Sequence, residues 1–269
     1  MSRSRLVVLA ATGLVALTAC GSSGGSSVDG SSGAASSSSS AKLTGTLTVF
    51  AASSLTGVFG TLGDQLKAAN PGLDVRFNFA GSSALATQIT QGAPADVFAA
   101  ASPTTMATVT DAKLAAGTPA VFTENVLEIA VPTGNPGHVT GLADFAKPSL
   151  TLAICAPDVP CGAAAAKVFA AAKITAKPDS LEEDVKAALT KVSLGEVDAA
   201  LVYTTDVQAA GNKVQGISFP EAEQAVNKYP ICVLSAAPNK AAAQAFVDLV
   251  RSAKGQAALT AAGFRSPGP

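Results

Sequence analysis

Histidine is almost absent from this sequence: His138 is the single one among 269 residues. It sits in "PTGNPGHVTG", a loop by composition, and reads as a surface residue. With one histidine and no C-x-x-C pair, the familiar zinc-ligand spacings are excluded. No strand-to-helix G-x-S-x-G elbow occurs, and no G-x-x-x-x-G-K-[ST] phosphate loop. An enzyme reading is therefore left without a nucleophile and base. Glu182, Glu183 and Asp184 do cluster, but they read as a solvated helix start rather than a catalytic pair. Charge is scarce too, at 14% of residues, with 18 Lys+Arg against 19 Asp+Glu. No basic cluster or aromatic–basic stripe is present, which argues against a nucleic-acid partner. Arg76 is the only arginine between Arg5 and Arg251 and lies mid-strand, so no arginine clamp for an organic anion is evident.

What is present begins with "MSRSRLVVLAATGLVALTAC". Two arginines, an apolar run from Leu6 to Leu17 and small residues make a secretory signal, too short to be a comfortable membrane span. Its end, Leu17-Thr18-Ala19-Cys20, resembles a bacterial lipobox, which implies a signal peptide at 1–19 and lipidation of Cys20. The following stretch to residue 42 is nearly all Ser and Gly, a composition that cannot repay the entropy of folding and behaves as a flexible tether. The expected arrangement is a globular body anchored by lipid to the outer face of the cytoplasmic membrane. Three cysteines remain in that body: Cys155, Cys161 and Cys232. Export to oxidising surroundings permits one bridge and leaves one thiol over. Cys155 and Cys161, close in sequence around a Pro-rich loop, are the favoured pair.

From Leu43 onward, short β-rich runs alternate with helical patterns. Strands are expected at Leu47–Ala51, Asp74–Phe79 and Asp96–Ala100, and helices at Thr56–Ala69, Ser83–Gln91 and Pro103–Lys113. Such βαβαβα order implies a mostly parallel sheet with helices on its faces. A longer strand at Glu124–Val131 is a candidate crossover, and Tyr229–Leu234 a candidate return. Between them lie a second set: strands at Thr151–Ile154 and Ala199–Tyr203, helices at Gly162–Lys173 and Glu182–Leu194. The fold class is thus α/β, with two lobes sharing one chain path. Ligands of such sheets bind beyond the carboxyl ends of the strands, here in the cleft.

Two strands end on paired serines just where a helix begins: Ser53/Ser54 and Ser82/Ser83. Helix starts expose N–H groups without intrahelical partners, and the dipole adds partial positive charge. With a hydroxyl alongside, this is an anion site that needs no lysine or arginine. Taken singly, each pair reads as an ordinary N-cap. Two further features join them. Pro160-Cys161-Gly162 opens an alanine-rich helix, and Tyr203 ends a strand with its phenol able to face a cleft. Near residue 184, Ser180 and Glu183 fit a capping box, whereas Asp184 as the cap would expose the Val185 N–H.

Five segments, "VFAASSLTGVF", "FAGSSALATQITQGAPADVF", "DVPCG", "EEDVKAAL" and "VYTTDV", together resemble the periplasmic molybdate-binding proteins of ABC importers. "KYPICVL" and the terminal Gly263-Phe264 match as well. The resemblance implies a type II periplasmic-binding-protein fold with a hinge of two crossing strands. Lobe I is expected at 43–123 plus 231–269, and lobe II at 124–230. It also implies an oxyanion site made by Ser54, Ser82, Tyr203 and the main-chain N–H groups of Cys161 and Val185, with Ser53 and Ser83 as rivals within their pairs. Cys161 stands where the family usually has alanine. The implied ligand is molybdate or tungstate, with sulfate or another tetrahedral oxyanion as the alternative. No cofactor is implied, and the metal is held only through its oxygens. The implied partners are an ABC permease and its ATPase, served by a monomeric binding protein.

Overall fold

The structure, a computed structural model, describes residues 42–268. The signal peptide, Cys20 and all but the last residue of the tether lie outside the described residues. Among the described residues no helix is long and apolar enough to cross a membrane.

Strand β1 (Thr44–Ala52) leads through a 3-10 turn (Ser53–Leu55) into helix α1 (Thr56–Ala69). Next come β2 (Gly72–Ala80), α2 (Ser82–Thr90), β3 (Val97–Ala99) and α3 (Pro103–Asp111). The chain then runs through β4 (Ala120–Asn125) and β5 (Leu127–Pro132) into β6 (Leu152–Cys155) and α4 (Pro160–Ala172). After β7 (Ser180–Glu182), α5 (Val185–Ser193), β8 (Ala199–Tyr203), α6 (Thr204–Ala210) and β9 (Val214–Ile217), strand β10 (Asn227–Val233) returns. Helices α7 (Lys240–Arg251) and α8 (Ala253–Ala261) close the chain.

These strands form two five-stranded sheets, ordered β2-β1-β3-β10-β4 and β7-β6-β8-β5-β9. In the first, β1, β2 and β3 are parallel and β10 is antiparallel to both its neighbours. In the second, β6, β7 and β8 are parallel and β5 is antiparallel to both its neighbours. Each lobe is therefore a mixed sheet flanked by helices, the α/β two-lobe architecture expected. The chain passes between the sheets twice: at Val126, from β4 to β5, and through the 3-10 turn Pro220–Ala225, between β9 and β10, so the second passage is not itself a strand.

The packing follows the strand period. Along β1, Leu47, Val49 and Ala51 join Phe59, Phe122 and Phe246 on one side of the sheet, while Phe50 joins Leu85, Phe98 and Met106 on the other. Strands buried on both faces read as near-continuous apolar runs, as "LTVFAA" does. A third cluster, around Phe145, Val168 and Leu201, fills the second lobe. Each fully buried large apolar side chain contributes about 1.5–3 kcal/mol.

Two local expectations are corrected and one open alternative is decided. The expected single strand Glu124–Val131 is two strands, because the Asn125 Oδ1 accepts the Val126 N–H at 3.0 Å where the chain changes sheets. The helix expected over Glu182–Leu194 starts only at Val185, because Ser180–Glu182 pairs with β6 as strand β7. The capping box from Ser180 does not form; Asp184 Oδ1 caps the helix, accepting from the Lys186 and Ala187 N–H groups at 2.7 and 3.0 Å.

Candidate functional site

Register explains why distant serines converge. In the β1–β2 ladder Ala52 faces Ala80, and in β1–β3 Ala51 faces Ala99. The segments leaving these strands, Ser53-Ser54, Gly81-Ser82 and Ala100-Ala101, therefore emerge side by side at one sheet edge. The second lobe does the same: Cys155 faces Glu182 across β6–β7, and β8 ends on Tyr203. The two edges meet around a cavity of about 10 Å³. From the first lobe it is lined by Ala52, Ser53, Ser54, Ala80, Gly81, Ser82 and Ala101. From the second it is lined by Val159, Pro160, Cys161, Asp184, Val185 and Tyr203.

No lysine or arginine is among these lining residues. The donors are hydroxyls and helix-start N–H groups. The helix starts at Ser53, Ser82 and Pro160 carry no side-chain cap. Elsewhere caps are present: Ser102 on α3, Asn239 on α7 and Ser252 on α8. Uncapped first-turn N–H groups have no intrahelical acceptor and must find one from a ligand or water. At α5 the Asp184 cap takes the next two N–H groups and leaves that of Val185. That carboxylate belongs to the lining but is turned into its own helix.

The hydroxyls are held in place. Ser82 Oγ accepts the Ala101 N–H at 3.0 Å, which leaves its proton to donate. Ser54 Oγ lies 3.0 Å from the Tyr229 hydroxyl. The Tyr203 hydroxyl, on a residue only 1% exposed, has no hydrogen-bond partner among the described residues. Burial, then the nearby Tyr229 phenol and Asp206, push the Tyr203 pKa well above its ordinary value, so it stays a donor. Beneath it, Asp206 is wholly buried, accepts the Tyr203 N–H at 3.1 Å and faces the Lys186 ammonium at 2.8 Å. Burial raises the Asp206 pKa, and Lys186 opposes the rise. Ser83 points elsewhere: its hydroxyl donates to the Asp158 carbonyl at 2.5 Å, bridging the two lobes. A disulfide joins Cys155 and Cys161, and Cys232 is a free buried thiol.

So Ser54, Ser82, Cys161, Val185, Tyr203 and Ser53 come together at the cavity, and Ser83 is not among its lining residues. Sequence reasoning passed over Tyr229, the partner of Ser54. The return strand carrying it stood out, but nothing local pointed its hydroxyl toward β1. Gly81 was also passed over: a Cβ there would strike the Glu183 carbonyl of the other lobe. Among the described residues no cluster of three or more His, Cys, Asp or Glu could hold a bare metal ion.

Comparison with known proteins places the chain by family and fold. Residues 47–265 match the family model described as bacterial extracellular solute-binding protein. The molybdate-binding protein ModA of Mycobacterium tuberculosis is 44% identical over 222 residues, covering 82% of this chain and 85% of that protein. ModA of Escherichia coli is 32% identical, covering 77% and 84%. In fold, the periplasmic molybdate-binding protein of Azotobacter vinelandii superposes with a TM-score of 0.68 at 21% identity, covering 82% of this chain and 100% of that one. These relatives are solute-binding proteins rather than enzymes. The chain belongs to the bacterial extracellular solute-binding protein family.

Proposed function

We propose that the cavity binds molybdate outside the cytoplasmic membrane and that the protein delivers it to an ABC permease and its ATPase. The observation that carries this reading is the buried Tyr203, whose hydroxyl makes no well-formed hydrogen bond among the described residues although Tyr229 and Asn227 lie near it, in the wall of a cavity whose other donors are serine hydroxyls and uncapped helix starts. Molybdate at neutral pH is an unprotonated tetrahedral dianion that accepts hydrogen bonds and donates none. The proposed ligands are the hydroxyls of Ser54, Ser82 and Tyr203 and the N–H groups of Cys161 and Val185, with Ser53 also at the wall. Charge-assisted hydrogen bonds net about 1.5–3 kcal/mol each, so these five or six give about 8–18 kcal/mol before ordering and desolvation are subtracted. A net of about −8 to −12 kcal/mol corresponds to a micromolar to nanomolar site. Neutral donors suffice.

The same set gives selectivity. Monohydrogen phosphate brings a proton that needs an acceptor, and the one carboxylate in the wall, Asp184, is already engaged by its helix. Drug-sized organic anions need several hundred Å³ of room, more than this cavity offers. Tungstate, nearly equal to molybdate in size and charge, should bind alike. The ion enters with its oxygens facing protein, and no side chain touches the metal. The lipobox and the Ser/Gly tether support a body anchored through Cys20. The test is calorimetric titration with molybdate, tungstate, sulfate and phosphate. Tight binding of the first two, with sulfate far weaker, is expected. Silence toward both metal oxyanions, or equal affinity for sulfate, would overturn the assignment.

A further inference from the structure

Helix α4 shares with the starts at Ser53 and Ser82 the lack of a side-chain cap, and of the three it alone opens on a proline. Its start must stay fixed, because the Cys161 N–H lines the cavity. Yet its cap position is Val159, which supplies no side-chain acceptor, and Pro160 has no N–H to anchor it. A capping Ser or Asp would fix this turn by consuming the donors that an anion needs. The Cys155–Cys161 bond holds the turn and consumes none. It ties the last residue of β6 to the second residue of α4, closing the loop 156–160 at both ends. Main-chain bonds also hold that loop within its lobe: Ala156 N–H to the Glu182 carbonyl at 2.8 Å, Val159 N–H to the Ala156 carbonyl at 3.0 Å and Ala163 N–H to the Val159 carbonyl at 2.9 Å. Both cysteines are at most 2% exposed, so the bond lies directly behind the cavity wall.

We infer that the Cys155–Cys161 disulfide is a covalent substitute for a helix cap, a positioning element that links anion affinity to thiol–disulfide state. The inference rests on the oxyanion reading of the cavity. Reduction is a two-electron exchange: two molecules of a monothiol such as glutathione give one glutathione disulfide, and their two protons end on Cys155 and Cys161. The freed turn then loses its fixed direction and the Cys161 N–H its aim. By reciprocity, a ligand that prefers the oxidised protein must also protect the bond.

The experiment uses the full chain. Oxidised protein, protein reduced and then freed of reductant, and the Cys155→Ala/Cys161→Ala variant are titrated with tungstate, with circular dichroism at the same temperature. Reduction is verified by mapping alkylated Cys155 and Cys161. The expected result is affinity at least about tenfold weaker in the reduced and variant proteins with the fold kept, and recovery on reoxidation of the reduced protein. In a glutathione redox buffer, saturating tungstate should move the midpoint of this bond about 30 mV more negative for each tenfold of affinity. A bond that is only structural would show no such shift. Equal affinity in oxidised and reduced protein would overturn the inference while leaving the oxyanion site intact. Loss of fold in both reduced and variant forms would also overturn it, because the bond would then be holding the lobe. Failure of the oxidised protein to bind either tungstate or molybdate would instead remove the reading beneath it.

Discussion

At the scale of single residues, the site is a set of donors with little else to do. Tyr203 makes the clearest case. Its hydroxyl makes no well-formed hydrogen bond among the described residues, so Tyr203→Phe should leave the ligand-free melting temperature unchanged or slightly raised. Molybdate affinity should drop about 10- to 150-fold, the loss of one hydrogen bond to a charged group. A variant that binds normally in calorimetry would remove Tyr203 from the site. Ser54→Ala differs, because the Tyr229 hydroxyl loses its 3.0 Å partner. It should weaken binding by a similar factor and also cost about 1 kcal/mol of stability in denaturant melts. Proton linkage follows from Tyr203 as well. Its folded pKa is raised, so the stability it confers is present below the unfolded value near 10 and is lost as pH climbs beyond it. Molybdate affinity should accordingly be flat from neutrality to about pH 10; a fall near pH 8 in a titration series would contradict this. Which serine of each pair faces the ligand was not legible in the sequence. Ser82 and Ser83 are equivalent as letters, and only the turn of α2 puts one in the cavity and sends the other to Asp158.

At the scale of elements, the sequence foretold the strand–serine–helix junctions well, because each uses short-range rules: an apolar run, a cap-type residue, an amphipathic period. Helix α1 and strand β8 lie where those rules put them. Strand β7 and helix α6 were not legible. Three residues with a polar pattern become a strand only because β6 is beside them, and α6 depends on Asp206, whose carboxylate is fixed by a lysine twenty positions back in a different helix. Val185 illustrates the same limit. Its N–H is available only because Asp184, rather than Ser180, caps α5. Asp184→Ala should therefore destabilise the protein by about 0.5–2 kcal/mol, visible as a lower urea midpoint. Asp184→Asn, which keeps the side-chain acceptor, should lose much less. Equal losses would show that the carboxylate acts through charge rather than as a cap.

At the scale of the whole molecule, two sheets present their edges to each other and the proposed site lies where the lobes meet. Closure is recorded at several places outside the cavity. Ser83 reaches Asp158, Gln208 Nε2 donates to the Ala261 carbonyl at 2.8 Å, and Arg265 grips Glu223 through two contacts of 2.7 Å. The Arg265–Glu223 pair is substantially exposed, so it adds little to stability. Gly81 is different. Its φ of −56° suits any residue, and glycine is required only by the approach of Glu183. Gly81→Leu should fold normally and hold the lobes apart. If the closed form falls to a tenth of the population, apparent affinity falls about tenfold; unchanged affinity would show that closure does not depend on this contact. In thermal melts, molybdate at a hundred times its dissociation constant adds about 2.7 kcal/mol. That is a rise of roughly 5–10 °C for a body of this size. The most direct test of the central claim is a crystal structure grown with molybdate, with the metal located by its anomalous scattering. The account expects one peak inside the cavity, its oxygens within hydrogen-bond distance of the Ser54, Ser82 and Tyr203 hydroxyls and the Cys161 and Val185 N–H groups. A peak held by lysine or arginine side chains, or a cavity without metal, would contradict it.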